Sequence, residues 1–168
     1  MSSGKFVTFG EPGPPHGLRR IVSGGQTGVD RGALDAALEA GLPAGGWCPQ
    51  GRRAEDGTIP ACYPLLELAS ADYAVRTEQN VIDSDGTLVL HRGEIRGGTR
   101  LTVQLARKHR RPCLALDLNG QPDPAAIRHW LHESAIGVLN CAGPRESTCP
   151  GIAAQSRDLM RRVFLGEP

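Results

Sequence analysis

The sequence predicts an α/β protein, a mainly parallel sheet with helices on both faces, and three observations carry the prediction. From Arg19 onward, short apolar runs alternate with longer amphipathic stretches, the order made by repeated strand and crossover-helix units. Glycine-rich turns join a run to the helical stretch after it, at Ser23-Gly24-Gly25-Gln26-Thr27-Gly28 and again at Gly97-Gly98-Thr99. The length of 168 residues suits one domain, because a globule of this size buries roughly two-thirds of its unfolded-chain surface without metal or disulfide staples.

Residues 1–18, rich in glycine and proline, show neither period and read as a loose arm before a single domain over 19–168. Arg20 to Ser23 forms the first strand. A helix follows with apolar positions at Val29, Ala33, Ala36, Ala37 and Ala40; Thr27 and Asp30 have capping-box spacing, and Gly41 with Pro43 ends the helix. Gly46-Trp47-Cys48 is a short segment, and Pro49 to Pro64, full of turn formers and charges, is an ordered loop. Tyr73 to Asp83 reads as a helix with Arg76, Asn80 and Asp83 on one face. The next strand is Thr87 to Leu90, its helix about Thr99 to His109, and Cys113 to Leu116 is another buried strand. Asp123-Pro124 opens a helix in the favoured cap and first-turn order, with Ile127, Trp130 and Leu131 inward. Strand Ile136 to Cys141, loop Ala142 to Cys149 and helix Pro150 to Phe164 complete a Rossmann-like three-layer arrangement.

Charge and composition exclude several functions. Nineteen basic residues balance eighteen acidic ones, and two tryptophans, two tyrosines and three phenylalanines supply few stacking platforms, so nucleic acid is not the expected partner. No apolar run approaches the roughly 20 residues of a membrane span, and no signal-peptide order opens the chain. The five cysteines are odd in number and lack CxxC pairs, which fits free thiols in a reducing cytoplasm. The histidines His16, His91, His109, His129 and His132 are scattered, and no metal site is expected. GxGxxG, the Walker GxxxxGK[ST] and the GxSxG elbow are all absent, which disfavours a standard dehydrogenase, a P-loop ATPase and an α/β-hydrolase.

Loops that leave the carboxyl ends of parallel strands gather at one edge, where open α/β sheets bind ligands. The turn Ser23, Gly24, Gly25, Gln26, Thr27, Gly28 ends at a helix N-terminus, whose free N–H groups attract anions; it reads as a phosphate cradle or as a tight turn that binds nothing. Gly97, Gly98 and Thr99 repeat the design, and Gly143, Arg145 and Ser147 follow the last strand. Arg76 suits bidentate anion recognition, with Asn80 one turn on. Arg52, Arg53, Glu55 and Asp56 offer cations for phosphate and carboxylates for hydroxyls, or else form a solvated face.

Several motifs resemble one family over Ile21 to Phe164: SGGQTGVDRGALDAAL (Ser23–Leu38), GWCPQGRRAEDG (Gly46–Gly57), RTEQN (Arg76–Asn80), SDGTLVL (Ser84–Leu90), GGT (Gly97–Thr99) and NCAGPRES (Asn140–Ser147). They resemble the putative molybdenum carrier family, also described as circularly permuted YpsA-like proteins. That family is similar to a Rossmann-like group that includes the lonely-guy phosphoribohydrolases and the DNA-processing protein DprA. The resemblance implies a phosphate-bearing small molecule, nucleotide-like or pterin-like, with a nucleotide or the molybdenum cofactor as bound group, and a homo-oligomer, dimer or tetramer. The phosphoribohydrolases carry PGGxGTxxE; here Gly98-Thr99 matches its Gly-Thr and Thr102 replaces its glutamate. The expectation is therefore a carrier or sensor. The rival is a hydrolase of a nucleotide-derived substrate, with Glu78 or Asp83 as acid/base.

Overall fold

The computed structural model describes residues 16–168. Nine strands and five α-helices follow in order: β1 (Arg20–Val22), α1 (Val29–Glu39), β2 (Ala44–Gly45), β3 (Trp47–Cys48), β4 (Arg53–Ala54), β5 (Gly57–Thr58), β6 (Leu66–Glu67), α2 (Tyr73–Ile82), β7 (Gly86–His91), α3 (Gly97–Lys108), β8 (Cys113–Asp117), α4 (Pro124–Glu133), β9 (Val138–Ala142) and α5 (Ile152–Leu165). The main sheet has the order β2-β1-β9-β7-β8, and every pairing in it is parallel. The chain leaves β1 towards one edge of this sheet and β7 towards the other. The loops after them diverge above β9, and that reversal opens a crevice.

Side-chain alternation assigns the two faces. Leu88, Leu90, Leu139 and Cys141 join the apolar cluster built with Val29, Ala33, Ala37, Ile127, Leu131, Ile152 and Met160, so α1, α4 and α5 share one face. The alanines of α1 are small enough for α5 to approach Gly32, where an added Cβ would meet the Ala153 carbonyl. Thr87 and Asn140 alternate to the opposite face, where Asn140 Nδ2 donates to Thr87 Oγ1 at 3.3 Å. A separate cluster of Val81, Leu105 and Ala106 joins α2 to α3. No helix among the described residues is long and apolar enough to cross a membrane.

Four details differ from the sequence expectations. The arm expected over 1–18 lies outside the described residues up to residue 15, but His16 and Leu18 are packed into the body, and His16 Nε2 lies 3.1 Å from the Phe164 carbonyl oxygen. Thr27 does not cap α1: the N-cap is Gly28 without a side-chain bond, while Thr27 Oγ1 donates to Glu55 and Asp30 Oδ2 accepts from Gln26 N–H. The long loop expected over Pro49 to Pro64 contains a hairpin, β4 with β5, and is followed by a strand, β6, that pairs with β3. Strand β2 was not expected, because Ala44-Gly45 carries no apolar run; its place comes from parallel pairing with Ile21 and Val22.

Candidate functional site

The crevice is a cleft of about 640 Å³ lined by the turn after β1, the start of α2, the loop after β7 with the start of α3, and the loop after β9. That volume suits a nucleotide-sized molecule. Of the residues singled out by sequence, Gly24, Gln26, Arg76, Asn80, Gly97, Gly98, Thr99, Gly143, Arg145 and Ser147 line it. Segments far apart in sequence meet here because parallel topology sends each strand-to-helix loop to the same edge.

The two glycine turns differ in what they leave free. In the first, the N–H groups of Ser23, Gln26, Thr27 and Val29 are taken by the Gly45 carbonyl, Asp30 Oδ2, Gln26 Oε1 and the Pro144 carbonyl, and the N–H groups of Gly25 and Gly28, without a partner among the described residues, belong to residues outside the cleft lining. Ser23 Oγ donates to the Cys141 carbonyl at 2.7 Å. Gly25 has φ +76° and gives its missing side-chain volume to Leu65, and Gly28 gives its own to the Pro144–Glu146 backbone. Ser23, Gly25, Thr27 and Gly28 therefore build the turn and do not line the cleft. In the second turn, no hydrogen bond among the described residues engages the N–H of Gly97, Gly98 or Thr99, and the N-cap Arg96 makes no side-chain bond to the helix end. A Cβ at Gly97 or Gly98 would meet nothing within 4 Å. The free, positive end of α3 thus opens directly onto the cleft.

Charge follows the same division. Arg76, Arg92, Arg96 and Arg145 line the cleft with Asp30 and Glu94. Arg96 and Arg100 pair with Glu94, and Arg92 is held by Gln155 and the Pro150 carbonyl. Arg145 makes no ion pair among the described residues and rests on the Tyr73 ring, 5.3 Å from its centroid, with Arg76 at 5.4 Å from the same ring. Arg76 donates from Nη1 to the Gly24 carbonyl at 2.6 Å and lies 3.9 Å from Asp30 Oδ2. Burial pushes the Asp30 carboxyl above its ordinary pKa, against the opposing pull of Arg76.

The other candidates hold the walls. Asn80 lines the cleft but commits its amide to the Trp47 backbone, accepting its N–H at 2.8 Å and donating to its carbonyl at 3.0 Å. Arg52 staples the carbonyls of Ile59, Pro60, Tyr63 and Leu65. Arg53 lies in β4 and is exposed. Asp56 is bidentate with Arg31, at 2.6 and 2.8 Å. Glu55 accepts from Thr27 Oγ1 and from Ser147 Oγ and N–H, tying the hairpin to two of the cleft loops, and the two hydroxyls hold its pKa below the ordinary value. Glu78 binds Lys108 and His109, and Asp83 accepts from Trp47 Nε1 and Gln79. Neither Glu78 nor Asp83 lines the cleft. Thr102 does, with Oγ1 donating to the Gly98 carbonyl at 3.0 Å.

Sequence reasoning missed Asp30, Tyr73, Arg92, Glu94, Arg96 and Cys149 as cleft residues. Asp30 had a signal, a carboxylate in the first turn of a helix that follows a glycine turn, but capping accounted for it. Among the described residues no group of three or more His, Cys, Asp or Glu side chains is placed to hold a metal ion.

An all-parallel five-stranded sheet with a polar, arginine-lined cleft at its carboxyl edge defines a Rossmann-like domain with a ligand-sized site. The chain belongs to the circularly permutated YpsA SLOG family, whose model matches residues 21–164. It is similar to a protein from Syntrophus aciditrophicus SB, solved by crystallography and described as a putative molybdenum carrier protein. The two share 44% sequence identity and a TM-score of 0.85, over 90% of this chain and 96% of the other. No curated protein matches.

Proposed function

We propose that this protein binds and carries a small phosphate-bearing molecule, nucleotide-like or pterin-like, with its phosphate at the N-terminus of α3. The observation that carries the reading is the open end of that helix: three N–H groups without partners among the described residues, two glycines facing free space, and Arg145 unpaired nearby. Anions bind such termini through backbone donors and the helix dipole. The description of the similar protein as a molybdenum carrier supports the molybdenum cofactor, a pterin phosphate, as one cargo of suitable chemistry. Binding also suits the chemistry present, because Glu78 and Asp83 are engaged outside the cleft and Thr102, at the position of the phosphoribohydrolase glutamate, bonds to its own helix.

Native mass spectrometry of the freshly purified chain, with metal analysis, is expected to show a phosphate-bearing adduct. Calorimetric titration of the adduct-free chain is expected to show binding of ribose 5-phosphate that weakens as salt rises. Absence of both signals would remove the proposal.

A further inference from the structure

The inner wall of the cleft has a composition that a phosphate does not explain. Gln26 and Arg76 are 6% and 7% exposed, yet Gln26 Nε2 and Arg76 Nε have no hydrogen-bond partner among the described residues. Both atoms are obligate donors. Beside them stands Asp30, 7% exposed, which accepts the Gln26 N–H at 3.1 Å and lies 3.9 Å from Arg76 Nη1. All three residues line the cleft. Buried donors without partners are rare in folded proteins because each forfeits its hydration, so their concentration at one wall calls for a partner that arrives with the ligand.

The wall also selects the charge of that partner. An anion there would face the Asp30 carboxylate, and a cation would face the Arg76 guanidinium. A neutral group with an acceptor and a donor side by side meets both. We propose that the inner end of the cleft reads the lactam edge of a heteroaromatic ring, with Gln26 and Arg76 donating to the ring carbonyl oxygen and Asp30 accepting from the adjacent ring N–H. A carbonyl oxygen has two lone pairs and takes both donors, whereas the ring nitrogen of an adenine edge has one and leaves a donor unpaired. Guanine, hypoxanthine and pterin all carry the lactam, and in guanine and pterin a neighbouring amino group gives the carboxylate a second donor. The Arg145 guanidinium, which lines the cleft and rests on the Tyr73 ring, adds a flat surface for a planar ring. Burial pushes the Asp30 pKa up; a ring N–H donating to it draws that pKa back down.

This inference rests on the proposed function, which places the ligand's phosphate at α3. The test compares GMP, IMP, AMP and neopterin monophosphate by calorimetry on the full chain, with ribose 5-phosphate as a ring-free reference. GMP and IMP are expected to bind about 10-fold or more tightly than AMP, because a site built to hydrogen-bond one edge penalises the other. Asp30→Asn is expected to bring the GMP to AMP ratio close to one. Gln26→Glu keeps the acceptor that holds the Thr27 and Glu55 N–H groups but removes the donor, and Gln26→Met removes the donor without adding a charge beside Asp30; both are expected to do the same. Neopterin monophosphate binding more tightly than GMP would assign the ring to a pterin, and the reverse to a purine; both uphold the lactam. Equal affinity for GMP and AMP in the unaltered chain overturns it. Ribose 5-phosphate binding that no ring improves overturns the lactam and leaves the phosphate site standing, whereas failure of every compound overturns both.

Discussion

Gly98→Ala separates ligand binding from folding, because the two respond in opposite directions. Gly98 sits in the first turn of α3, and a Cβ there meets no atom of the described residues within 4 Å. Replacing a helical glycine by alanine removes unfolded-chain entropy and stabilises by about 0.5–1 kcal/mol. At roughly 2–4 °C per kcal/mol for a chain of this size, the midpoint of thermal unfolding rises by about 1–4 °C. The same methyl stands in the space where a phosphate oxygen would approach the Gly98 and Thr99 N–H groups. Losing one hydrogen bond to a charged acceptor costs about 1.5–3 kcal/mol, or roughly 10- to 100-fold in affinity. Differential scanning fluorimetry and calorimetric titration with ribose 5-phosphate read the two effects on one preparation. Unchanged affinity in a stabilised variant would refute the placement of phosphate at α3. Gly25→Val makes the contrast: φ is +76° there and the new side chain meets Leu65 and Ile59, so that variant lowers the unfolding midpoint and reports on the turn instead of the ligand.

Two further outcomes follow from the walls of the cleft. Arg145→Ala removes a cleft arginine that makes no ion pair among the described residues and is expected to weaken ribose 5-phosphate about 5- to 10-fold at low salt, with the difference shrinking as salt rises; a salt-independent difference would deny it an electrostatic role. Glu55, held below its ordinary pKa of 4.5 by the Ser147 and Thr27 hydroxyls, contributes its tie above that value and loses it as pH falls through the lower folded pKa. Amide NMR shifts of Thr27 and Ser147 should therefore titrate together, with a midpoint below the ordinary carboxylate value of 4.5, and Glu55→Gln should abolish that shared titration; independent titration would show that the hairpin does not join the two loops.

Most of the main sheet was legible because its signal is local. An apolar run such as Thr87 to Leu90, followed by a glycine turn and the amphipathic stretch to His109, specifies strand, loop and helix without distant partners. Ala44-Gly45 carries no such pattern and is a strand only through its pairing with β1. Arg52 and Asp56 illustrate the same limit at the level of side chains. Charge and turn composition left them open as ligand contacts or solvated face, but their partners, four loop carbonyls and Arg31, were fixed by tertiary folding. Arg76 was legible because its burial coincided with the helical stripe shared with Asn80.

The two glycine turns look interchangeable in sequence, and the difference between them comes from what stands four residues downstream. In the first, Asp30 follows Gln26 at that spacing, and its carboxylate takes the backbone donor that a phosphate would otherwise use. A second anion against that carboxylate would be repelled, so the turn gives up its anion site and gains a buried acceptor beside Gln26 and Arg76. In the second, Thr102 follows Gly98 at the same spacing, and its hydroxyl donates to the Gly98 carbonyl, leaving the N–H groups of Gly97, Gly98 and Thr99 open. The first turn therefore sets the Asp30 acceptor beside the Gln26 and Arg76 donors, and the second presents backbone donors alone. The proposed ligand, with its negative charge at one end and a neutral hydrogen-bonding edge at the other, would meet both by lying in the cleft from α3 towards α1.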